Sequence, residues 1–379
     1  MANIVSWDDL NLDQHILRGI YSCGFETPSP IQSVAIEPIL KGKNIIAQAQ
    51  SGTGKTATFT IGSLSLVDTM VHHEQVIVLS PTRELSRQIY TVFQNIGKFV
   101  NNLNIYMAIG GSPMWKELKY LRNNTPHVII GCPGRVLDCI TNKGISLSHL
   151  KLLVLDEADE LLSSGFTDQL HSIISLLPNT TRVALFSATI PEHIRPVLNK
   201  IFTTPPLEIL VKRDELTLEG ISQYYVAMSE DAHKYEILKQ IYNNISLMQG
   251  IIYCNSVRRV IMLYQNLIND GFAVSCIHGE LDKSQREAAF EEFRTGGSRI
   301  LISSNITARG IDIQQVNIVI NYDIPRDVSS YIHRIGRSGR WGRKGTGINF
   351  ITREEVPYMR DIETYYDTVI EELPDKWYL

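Results

Sequence analysis

The strongest candidate for chemistry in this sequence is a glycine-rich stretch that ends in a lysine and a threonine. Residues Ala49–Thr56 read AQSGTGKT and lie between a strand-like run and a helical pattern. Glycines let backbone N–H groups face a phosphate, and the N-terminus of the following helix adds positive potential. On this solvent-facing loop, Lys55 is expected to contact the β- and γ-phosphates, and the Thr56 hydroxyl to help hold Mg²⁺. The alternative is a strand-to-helix turn with a chance Lys-Thr pair. The predicted phosphate loop comprises Ser51, Gly52, Thr53, Gly54, Lys55 and Thr56.

A second candidate is the acidic end of an apolar run. Lys151–Asp159 reads KLLVLDEAD, a strand of the buried type that ends abruptly in carboxylates. In doubly wound sheets, ligands bind beyond the carboxyl ends of the strands, which is where this cluster falls. Asp156 is expected to orient the metal's water shell, and Glu157 to activate the attacking water as general base. The alternative is an acidic helix N-terminus that the helix dipole stabilises. Together with the phosphate loop, the cluster predicts nucleotide hydrolysis.

The segment upstream of the phosphate loop favours adenine over guanine. No Asn-Lys-x-Asp motif occurs in the chain, which weighs against a GTPase. Gly24–Gln32 reads GFETPSPIQ and offers the aromatic face of Phe25 and the side-chain amide of Gln32. An amide can pair with both the acceptor and the donor on the adenine edge. A turn with a helix start at Pro30 explains the same residues.

The second half of the chain carries an arginine-rich stretch. Tyr331–Lys344 reads YIHRIGRSGRWGRK, with no acid among its residues. Arginines interleaved with glycines can reach phosphate while the backbone approaches closely, and one use is an arginine finger. The alternative is a solvated basic loop. No other Gly-Lys pair precedes Ser or Thr, so no second phosphate loop is expected in this half.

The elements that must position these residues alternate between short apolar strands and longer helical patterns. This alternation predicts βαβ units and parallel sheets, hence an α/β fold. Helices are expected at Glu84–Val100, His233–Ile245 and Ser256–Asp270. A charged segment at 212–220 is expected to link a domain at 1–211 to a domain at 221–379, although a surface loop within one domain is the alternative. The predicted strands are Asn44–Ala47, Val76–Ser80, Asn104–Ile109, His127–Gly131, Leu152–Leu155, Arg182–Phe186, Gly250–Cys254, Ala273–Ile277, Arg299–Ser303, Asn317–Asn321 and Gly347–Ile351.

Composition sets outer bounds on the function. The 379 residues are 44% hydrophobic and 20% charged, which is ordinary for a globular protein of two domains. The formal net charge of −4 neither supports nor excludes nucleic-acid binding, so an RNA surface would have to be a local basic stripe. The five cysteines form no C-x-x-C pair, which argues against a zinc site or disulfide framework and suits a reducing compartment. We expect neither a signal peptide nor a membrane-spanning segment.

Taken together, these motifs resemble those of the DEAD-box RNA helicases, and most closely those of the translation initiation factor 4A group. The resemblance covers essentially the whole chain, in order. Asp156–Asp159 is the DEAD sequence itself, and Phe25–Gln32 resembles the Q motif with Trp7 as its upstream aromatic. The subgroup resemblance rests on Leu210–Ile221 and Ile335–Lys344. The other matching segments are Pro81–Leu85, Gly110–Gly111, Pro133–Arg135, Ser187–Thr189, Ala308–Asp312 and His333–Arg340.

This resemblance implies two RecA-like domains in tandem, each a mostly parallel sheet flanked by helices, with ATP and Mg²⁺ as cofactors. Trp7, Phe25 and Gln32 would belong to the adenine site, and Asp312 would approach the ribose. Arg337 and Arg340 would complete the γ-phosphate site, while Thr56 and Asp156 would hold the metal, partly through water. Ser187 and Thr189 would couple hydrolysis to strand separation, although a capped strand end is the simpler interpretation. The residues implied to hold RNA backbone are Thr82, Arg83, Gly111, Arg135 and Thr307.

Three departures from the family pattern concern the RNA contacts and leave the phosphate chemistry untouched. Cys132 stands where the family usually has Thr, Ser304–Asn305 replaces Thr-Asp, and Lys283 replaces Gln. The expected function is an ATP-dependent RNA helicase that unwinds short duplexes in translation initiation, with a protein scaffold, in the cytoplasm. The alternative is an ATP-gated RNA clamp in an exon-junction-type complex, which would be nuclear. KRDELTLEG resembles the clamp paralogue and ARGIDIQQV the initiation factor, so the motifs leave both open.

Overall fold

The computed structural model describes residues 4–49, 52–163, 166–190, 194–202, 204–210, 221–244, 249–304, 316–338 and 345–374. The chain divides into two compact units, Met1–Val211 and Lys212–Leu379. The predicted linker at 212–220 lies outside the described residues.

The first unit is built on a parallel sheet of seven strands within its described residues, in the order β3-β4-β2-β5-β6-β1-β7. The strands are β1 (Ile45–Gln48), β2 (Val76–Leu79), β3 (Ile105–Ala108), β4 (Val128–Gly131), β5 (Leu152–Asp156), β6 (Arg182–Ser187) and β7 (Leu207–Leu210). The helices are α1 (Gln14–Ser22), α2 (Pro30–Leu40), α3 (Lys55–Leu66), α4 (Arg83–Ile96), α5 (Met114–Asn123), α6 (Pro133–Thr141), α7 (Ala158–Ser163), α8 (Thr167–Ser175) and α9 (Arg195–Ile201).

The second unit repeats this topology. Its described residues form a parallel sheet in the order β10-β11-β9-β12-β13-β8-β14, which is the first order with seven added to each strand number. The strands are β8 (Ile221–Ala227), β9 (Gly250–Tyr253), β10 (Val274–Ile277), β11 (Ile300–Ser303), β12 (Ile318–Asn321), β13 (Gly345–Ile351) and β14 (Glu371–Glu372). The helices are α10 (Lys234–Asn244), α11 (Val257–Asn269), α12 (Lys283–Arg294), α13 (Val328–Ile335) and α14 (Val356–Tyr366).

The central strands are apolar along their whole length because helices cover both faces of each sheet. In β2, Val76 and Val78 pack into one core cluster, whereas Ile77 and Leu79 pack into the cluster on the opposite face. Successive side chains of a strand point to opposite faces, so one short run contributes to two cores. The predicted α/β class, with two tandem domains that are each a parallel sheet flanked by helices, is confirmed.

All eleven predicted strands are present, but three further strands were not predicted. β7 and β14 lie at the edges of their sheets, and β8 lies next to β14. The β14 residues are exposed, and β8 reads ISQYYVA with only Gln223 buried. Such strands lack the continuous apolar run that identified the central ones, because a strand near the edge buries less of its surface.

Helices also begin where the sequence provides a cap. The Thr82 hydroxyl accepts a hydrogen bond from the Leu85 N–H at 3.2 Å, which satisfies one of the free donors at the start of α4. The buried face of this helix then follows the helical period through Leu85, Ile89, Phe93 and Ile96. No helix in the described part of the chain is both long and apolar enough to cross a membrane.

Candidate functional site

The predicted phosphate loop lies at the carboxyl end of β1 and leads directly into α3. Gly52 and Gly54 have φ values of +84° and +98°, a backbone region that favours glycine. Lys55 is the first residue of α3, so its side chain starts at the positive end of the helix dipole. The structure places Thr53 and Thr56 in the same turn, and Ser51 lies outside the described residues.

Lys55 differs from the sequence-based expectation in one respect. Its side chain is buried, with only 6% exposed, whereas a solvent-facing loop was expected. The Nζ atom has no hydrogen-bond acceptor among the described residues, and it lies 4.0 Å from Oε1 of Glu157. A buried ammonium group without an acceptor is costly, so this position fits an anionic ligand such as a phosphate.

The carboxylates that face the loop come from the end of β5. Asp156 is the last residue of the strand, and its Oδ1 accepts a hydrogen bond from the Glu157 N–H at 3.0 Å. Glu157 has φ = +49°, a conformation that is uncommon for a non-glycine residue and that clusters at functional sites. Because β1 and β5 are parallel strands of one sheet, their carboxyl ends lie at the same edge, and Glu157 Oε1 comes within 4.0 Å of Lys55 Nζ in the phosphate loop.

The electrostatics of Asp156 fit a divalent cation. Burial raises the pKa of Asp156 above its ordinary value, the neighbouring Glu157 raises it further, and Lys55 opposes the shift. A bound divalent cation favours the ionised carboxylate, because it is often the largest local charge in such a site. Oxygen ligands from a carboxylate and a hydroxyl suit Mg²⁺, so Asp156 and Thr56 form a suitable donor set.

One predicted adenine residue, Gln32, contacts the phosphate loop directly. Gln32 accepts a hydrogen bond from the Ser29 N–H at 2.7 Å, and its Nε2 donates to the Gly54 carbonyl at 3.4 Å. The Ser29 hydroxyl donates to the Thr53 carbonyl at 2.7 Å. Ser29 was not predicted as a site residue, although the spacing of Ser29 and Gln32 is that of a capping box.

Trp7 and Phe25 differ in how much of their side chains is exposed to solvent. Phe25 remains 36% exposed, but Trp7 is completely buried in the core of the first unit. The Trp7 indole N–H donates to the Phe25 carbonyl at 3.0 Å. Trp7 therefore positions the backbone of Phe25 and has no surface of its own to offer a nucleotide.

A buried hydrogen-bond cluster joins the end of β5 to the end of β6. Thr189 Oγ1 donates to Asp159 Oδ2 at 2.7 Å, and Ser187 Oγ lies 2.8 Å from Asp159 Oδ1. Ser187 and Thr189 thus do more than cap a strand, because they hold the last acid of the DEAD sequence. Asp159 belongs to the DEAD sequence, but the sequence predicted no role for it. Its partners, Ser187 and Thr189, lie 28 and 30 residues further along the chain.

Four of the residues implied to hold RNA, Thr82, Arg83, Gly111 and Arg135, belong to the first unit. Thr82 caps α4, Arg83 begins it and is exposed, and Gly111 has φ = +100°. A Cβ atom added to Gly111 would lie 3.9 Å from Arg83 Nη1, which brings the Gly110–Gly111 turn next to the start of α4. These residues therefore lie on one surface of the first unit.

Arg135 is more constrained than expected. Its Nη1 donates to Oε2 of the buried Glu117 at 2.9 Å, and its Nη2 donates to the Ser112 carbonyl at 3.3 Å. These contacts mean that Arg135 fixes the Gly110–Gly111 turn. Because its side chain is only 17% exposed, its guanidinium has limited capacity to bind a phosphate as well. Cys132 is the N-cap residue of α6, and its Sγ lies 3.7 Å from the Ser86 hydroxyl.

The arginine-rich stretch of the second unit is only partly a loop. Residues Tyr331–Ile335 belong to α13, and Arg334 is fully buried. The Arg334 guanidinium donates to the Asp323 carbonyl at 2.7 Å and to Asn255 Oδ1 at 2.7 Å. Burial lowers the pKa of Arg334 to about 10. Arg334 is therefore a structural residue, although it belongs to the arginine-rich stretch in which phosphate contacts were expected.

Arg337 follows α13, is 7% exposed, and donates from Nε to the His333 carbonyl at 3.2 Å. The remaining predicted residues, Thr307, Asp312 and Arg340, lie outside the described residues. The same applies to Asn305 among the departures, whereas Ser304 directly follows β11 and Lys283 begins α12.

Comparison with known proteins agrees with these features. A model described as DEAD/DEAH box helicase matches residues 29–197, and one described as helicase conserved C-terminal domain matches residues 233–342. The chain is 49% identical to ATP-dependent RNA helicase eIF4A of Pyricularia oryzae, over 97% of this chain and 92% of that protein. It is 48% identical to ATP-dependent RNA helicase fal1 of Schizosaccharomyces pombe, over 98% of this chain and 93% of that protein. The structure of S. cerevisiae Dbp5 bound to RNA and ADP BeF3 has a TM-score of 0.91 at 36% identity, over 99% of this chain and 97% of that chain.

Proposed function

Because this chain belongs to the DEAD/DEAH box helicase family and is an ATP-dependent RNA helicase, we propose that it unwinds short RNA duplexes during translation initiation. The ATP would bind at the phosphate loop of the first unit, and the RNA backbone at the surface formed by the starts of α4 and α6. The single observation that supports this assignment best is the Lys55 ammonium group. It is buried, lacks a hydrogen-bond acceptor among the described residues, and lies 4.0 Å from the Glu157 carboxylate.

Each residue of the first unit then has a specific task. Lys55 neutralises charge on the β- and γ-phosphates, and Glu157 accepts a proton from the attacking water. Thr56 and Asp156 hold Mg²⁺, partly through water, and that ion stabilises the charge that develops on the phosphates. Gln32 reads the adenine edge and Phe25 packs against the ring, while Trp7 and Ser29 hold these two in place.

The second unit supplies what the first lacks. We propose that Asp312 approaches the ribose and that Arg337 and Arg340 complete the γ-phosphate site. Hydrolysis would then require both units, and RNA would stimulate it by favouring the state in which both act on one nucleotide. The RNA backbone would bind to Thr82, Arg83, Gly111 and Thr307. Arg135 would act mainly by holding the turn that contains Gly111, because its guanidinium already donates to Glu117 and Ser112.

The biological setting is supported by similarity and by sequence. Relatives named eIF4A reach 49% identity with nearly full coverage, and this favours translation initiation. With that role we propose a scaffold protein as partner and a cytoplasmic location. The alternative is an ATP-gated RNA clamp in a nuclear complex, which the segment KRDELTLEG favours. Identification of stable partners by affinity purification separates the two, because an initiation scaffold and the components of an exon-junction-type complex are different proteins.

The biochemical core of the proposal is tested by ATP turnover with and without single-stranded RNA. We expect RNA to stimulate turnover, and Lys55→Ala to abolish ATP binding while the exposed Lys41→Ala control binds normally. RNA affinity should be indifferent to base sequence and should fall with salt. If about five phosphates are neutralised, the log–log slope should be roughly −3 to −4. Unimpaired ATP affinity in Lys55→Ala would contradict the assignment of the phosphate loop, and a slope near zero would contradict the RNA backbone contacts.

A further inference from the structure

The outer surface of α5 combines exposed aromatic rings with cations. Trp115 is 64% exposed and Tyr120 is 44% exposed. Lys116 and Lys119 are also exposed, and in an α-helix with 3.6 residues per turn they lie between the two rings around the helix. The one acid of the helix, Glu117, is buried and pairs with Arg135. We call Trp115, Lys116, Lys119 and Tyr120 the α5 face.

The two rings are held differently. Tyr120 stacks on Tyr106 of β3, with ring centroids 5.1 Å apart, so its orientation is fixed by the sheet beneath it. Trp115 extends further into solvent, and the Lys116 ammonium group lies 5.4 Å from its ring centroid. One nucleotide could therefore place its base on the indole and its phosphate near this ammonium group.

The α5 face begins where the proposed RNA-binding surface of the first unit ends. Arg135 donates to Glu117 of α5 and to the Ser112 carbonyl, and its Nη1 lies 3.9 Å from the Met114 sulfur. A Cβ atom added to Gly110 would lie 3.2 Å from Arg135 Nη2, so the same guanidinium also packs on the Gly110–Gly111 turn. Arg135 thus ties the start of α5 to the turn that contains Gly111.

The chain has a formal net charge of −4, but the α5 face combines a large exposed aromatic ring with two lysines. This combination suits a partner that carries many negative charges and flat apolar groups. Single-stranded RNA has both properties, since phosphates pair with cations and every base has a face that stacks on an aromatic ring. We propose that the α5 face is an additional contact for unpaired RNA, in which Trp115 stacks on a base and Lys116 and Lys119 neutralise phosphates. This inference rests on the proposed RNA-binding surface and extends it from backbone contacts to base stacking.

The test measures the affinity of the full chain for single-stranded RNA in the presence of a non-hydrolysable ATP analogue. The probe is a uridine oligonucleotide of about 20 nucleotides, which is long enough for more than one such contact. Trp115→Ala should weaken binding roughly five- to 150-fold, the range found when alanine replaces a stacking aromatic. Trp115→Phe keeps a ring and should retain most of the affinity. Met70→Ala is the matched control, because Met70 is a large side chain with 78% exposure elsewhere on the same unit.

Fluorescence provides a direct readout of stacking. The chain has four tryptophans, and Trp7 is completely buried. RNA should quench part of the tryptophan emission of the wild type, and this part should be missing in Trp115→Phe. Replacing Lys116 and Lys119 together with Ala should reduce the magnitude of the log–log salt slope by about 1.4, which is two phosphates at about 0.7 each for a single strand.

The outcomes separate this inference from the function on which it rests. If Trp115→Ala binds RNA like the wild type while Arg83→Ala binds it more weakly, the α5 face is overturned and the proposed RNA surface stands. If Arg83→Ala also binds normally, the RNA surface itself is wrong. An unchanged salt slope in the double lysine variant would likewise overturn the electrostatic part of the inference.

Discussion

The ammonium group of Lys234 lies 3.5 Å from the Asp323 carboxylate in the second unit. Lys234 is the first residue of the helix after β8, as Lys55 is the first residue of the helix after β1. Asp323 follows β12, and Glu157 follows β5. These two strands occupy the same position in the order of their sheets. The two pairs occupy equivalent positions, but Lys234 also lies 2.9 Å from Glu355 and 3.1 Å from Asp231. The second unit therefore neutralises this lysine with its own carboxylates.

Lys234→Ala should destabilise the second unit, because it removes a buried ammonium group from the carboxylates of Glu355 and Asp323, of which Asp323 keeps only Arg259 at 2.7 Å. Removing one partner of a buried ion pair typically costs about 3–5 kcal/mol of unfolding free energy. Denaturant unfolding checks this, with Lys239→Ala as the control. Lys239 pairs with Glu236 and Asp270 at the surface, where solvent screens the charges, so its loss should change the stability far less. Equal stability of the two variants would contradict a structural role for Lys234.

The same cluster predicts a dependence of stability on acid pH. Hydrogen bonds from Arg259 are the largest cause that lowers the pKa of Asp231 below its ordinary 3.8, and Lys234 lowers it further. Because the folded-state pKa is the lower one, the ionised carboxylate contributes stability that is present above the unfolded-state pKa. That stability is lost as the pH falls through the folded-state pKa. Asp231→Asn should flatten the loss of stability below pH 3.8, as thermal melts across this range would show. An unchanged pH profile would exclude Asp231 as a source.

Glu157→Gln should separate nucleotide binding from chemistry. The amide keeps the size of the side chain but cannot accept a proton from water, so ATP should remain bound while turnover falls by roughly 10²- to 10⁴-fold. Steady-state hydrolysis and equilibrium ATP binding measure the two effects. Glu37→Gln, at an exposed position of α2, is the control with unchanged turnover. Hydrolysis at the wild-type rate in Glu157→Gln would remove Glu157 from the role of general base.

Thr189→Val tests whether the cluster around Asp159 couples hydrolysis to strand separation. Valine matches threonine in shape but removes the hydrogen bond to Asp159 Oδ2, leaving a buried acceptor with one donor fewer. We expect a loss of about 1–3 kcal/mol in unfolding free energy, and a larger fall in duplex unwinding than in ATP turnover. Thr91→Val, on the exposed surface of α4, should change neither. A proportional fall of both activities would contradict a coupling role.

Arg337→Ala tests the contribution of the second unit to hydrolysis. Nucleotide affinity should remain largely intact, while turnover should fall by roughly 10³-fold or more, the scale typical of an arginine finger. Arg337→Lys keeps the charge without the fork geometry and should recover little of the rate. Arg353→Ala, at an exposed position after β13, is the control. If Arg337→Ala retains the wild-type turnover, Arg337 acts only within its own unit, where its Nε donates to the His333 carbonyl.

The sequence by itself determined the features that are local along the chain. Glycines before a helix start fixed the phosphate loop, and Asp156 and Glu157 at the end of an apolar run fixed the acidic edge, because a strand end and a helix start each depend on a few neighbouring residues. The central strands were predictable for the same reason. β7, β8 and β14 were not, since their burial depends on where they lie in the sheet.

Only the tertiary structure decided which distant residues meet. β1 pairs with β6, so residues more than 130 positions apart become neighbours at one sheet edge. The packing within each unit places Asp159 against Thr189, buries Trp7 behind Phe25, and surrounds Lys234 with carboxylates. Arg334 lies in an arginine-rich stretch in which phosphate binding was expected, but the packing buries it and gives it a structural role. Residue type and spacing predict what a side chain can do, whereas the packing of parallel strands decides whether its partner is a ligand or another part of the chain.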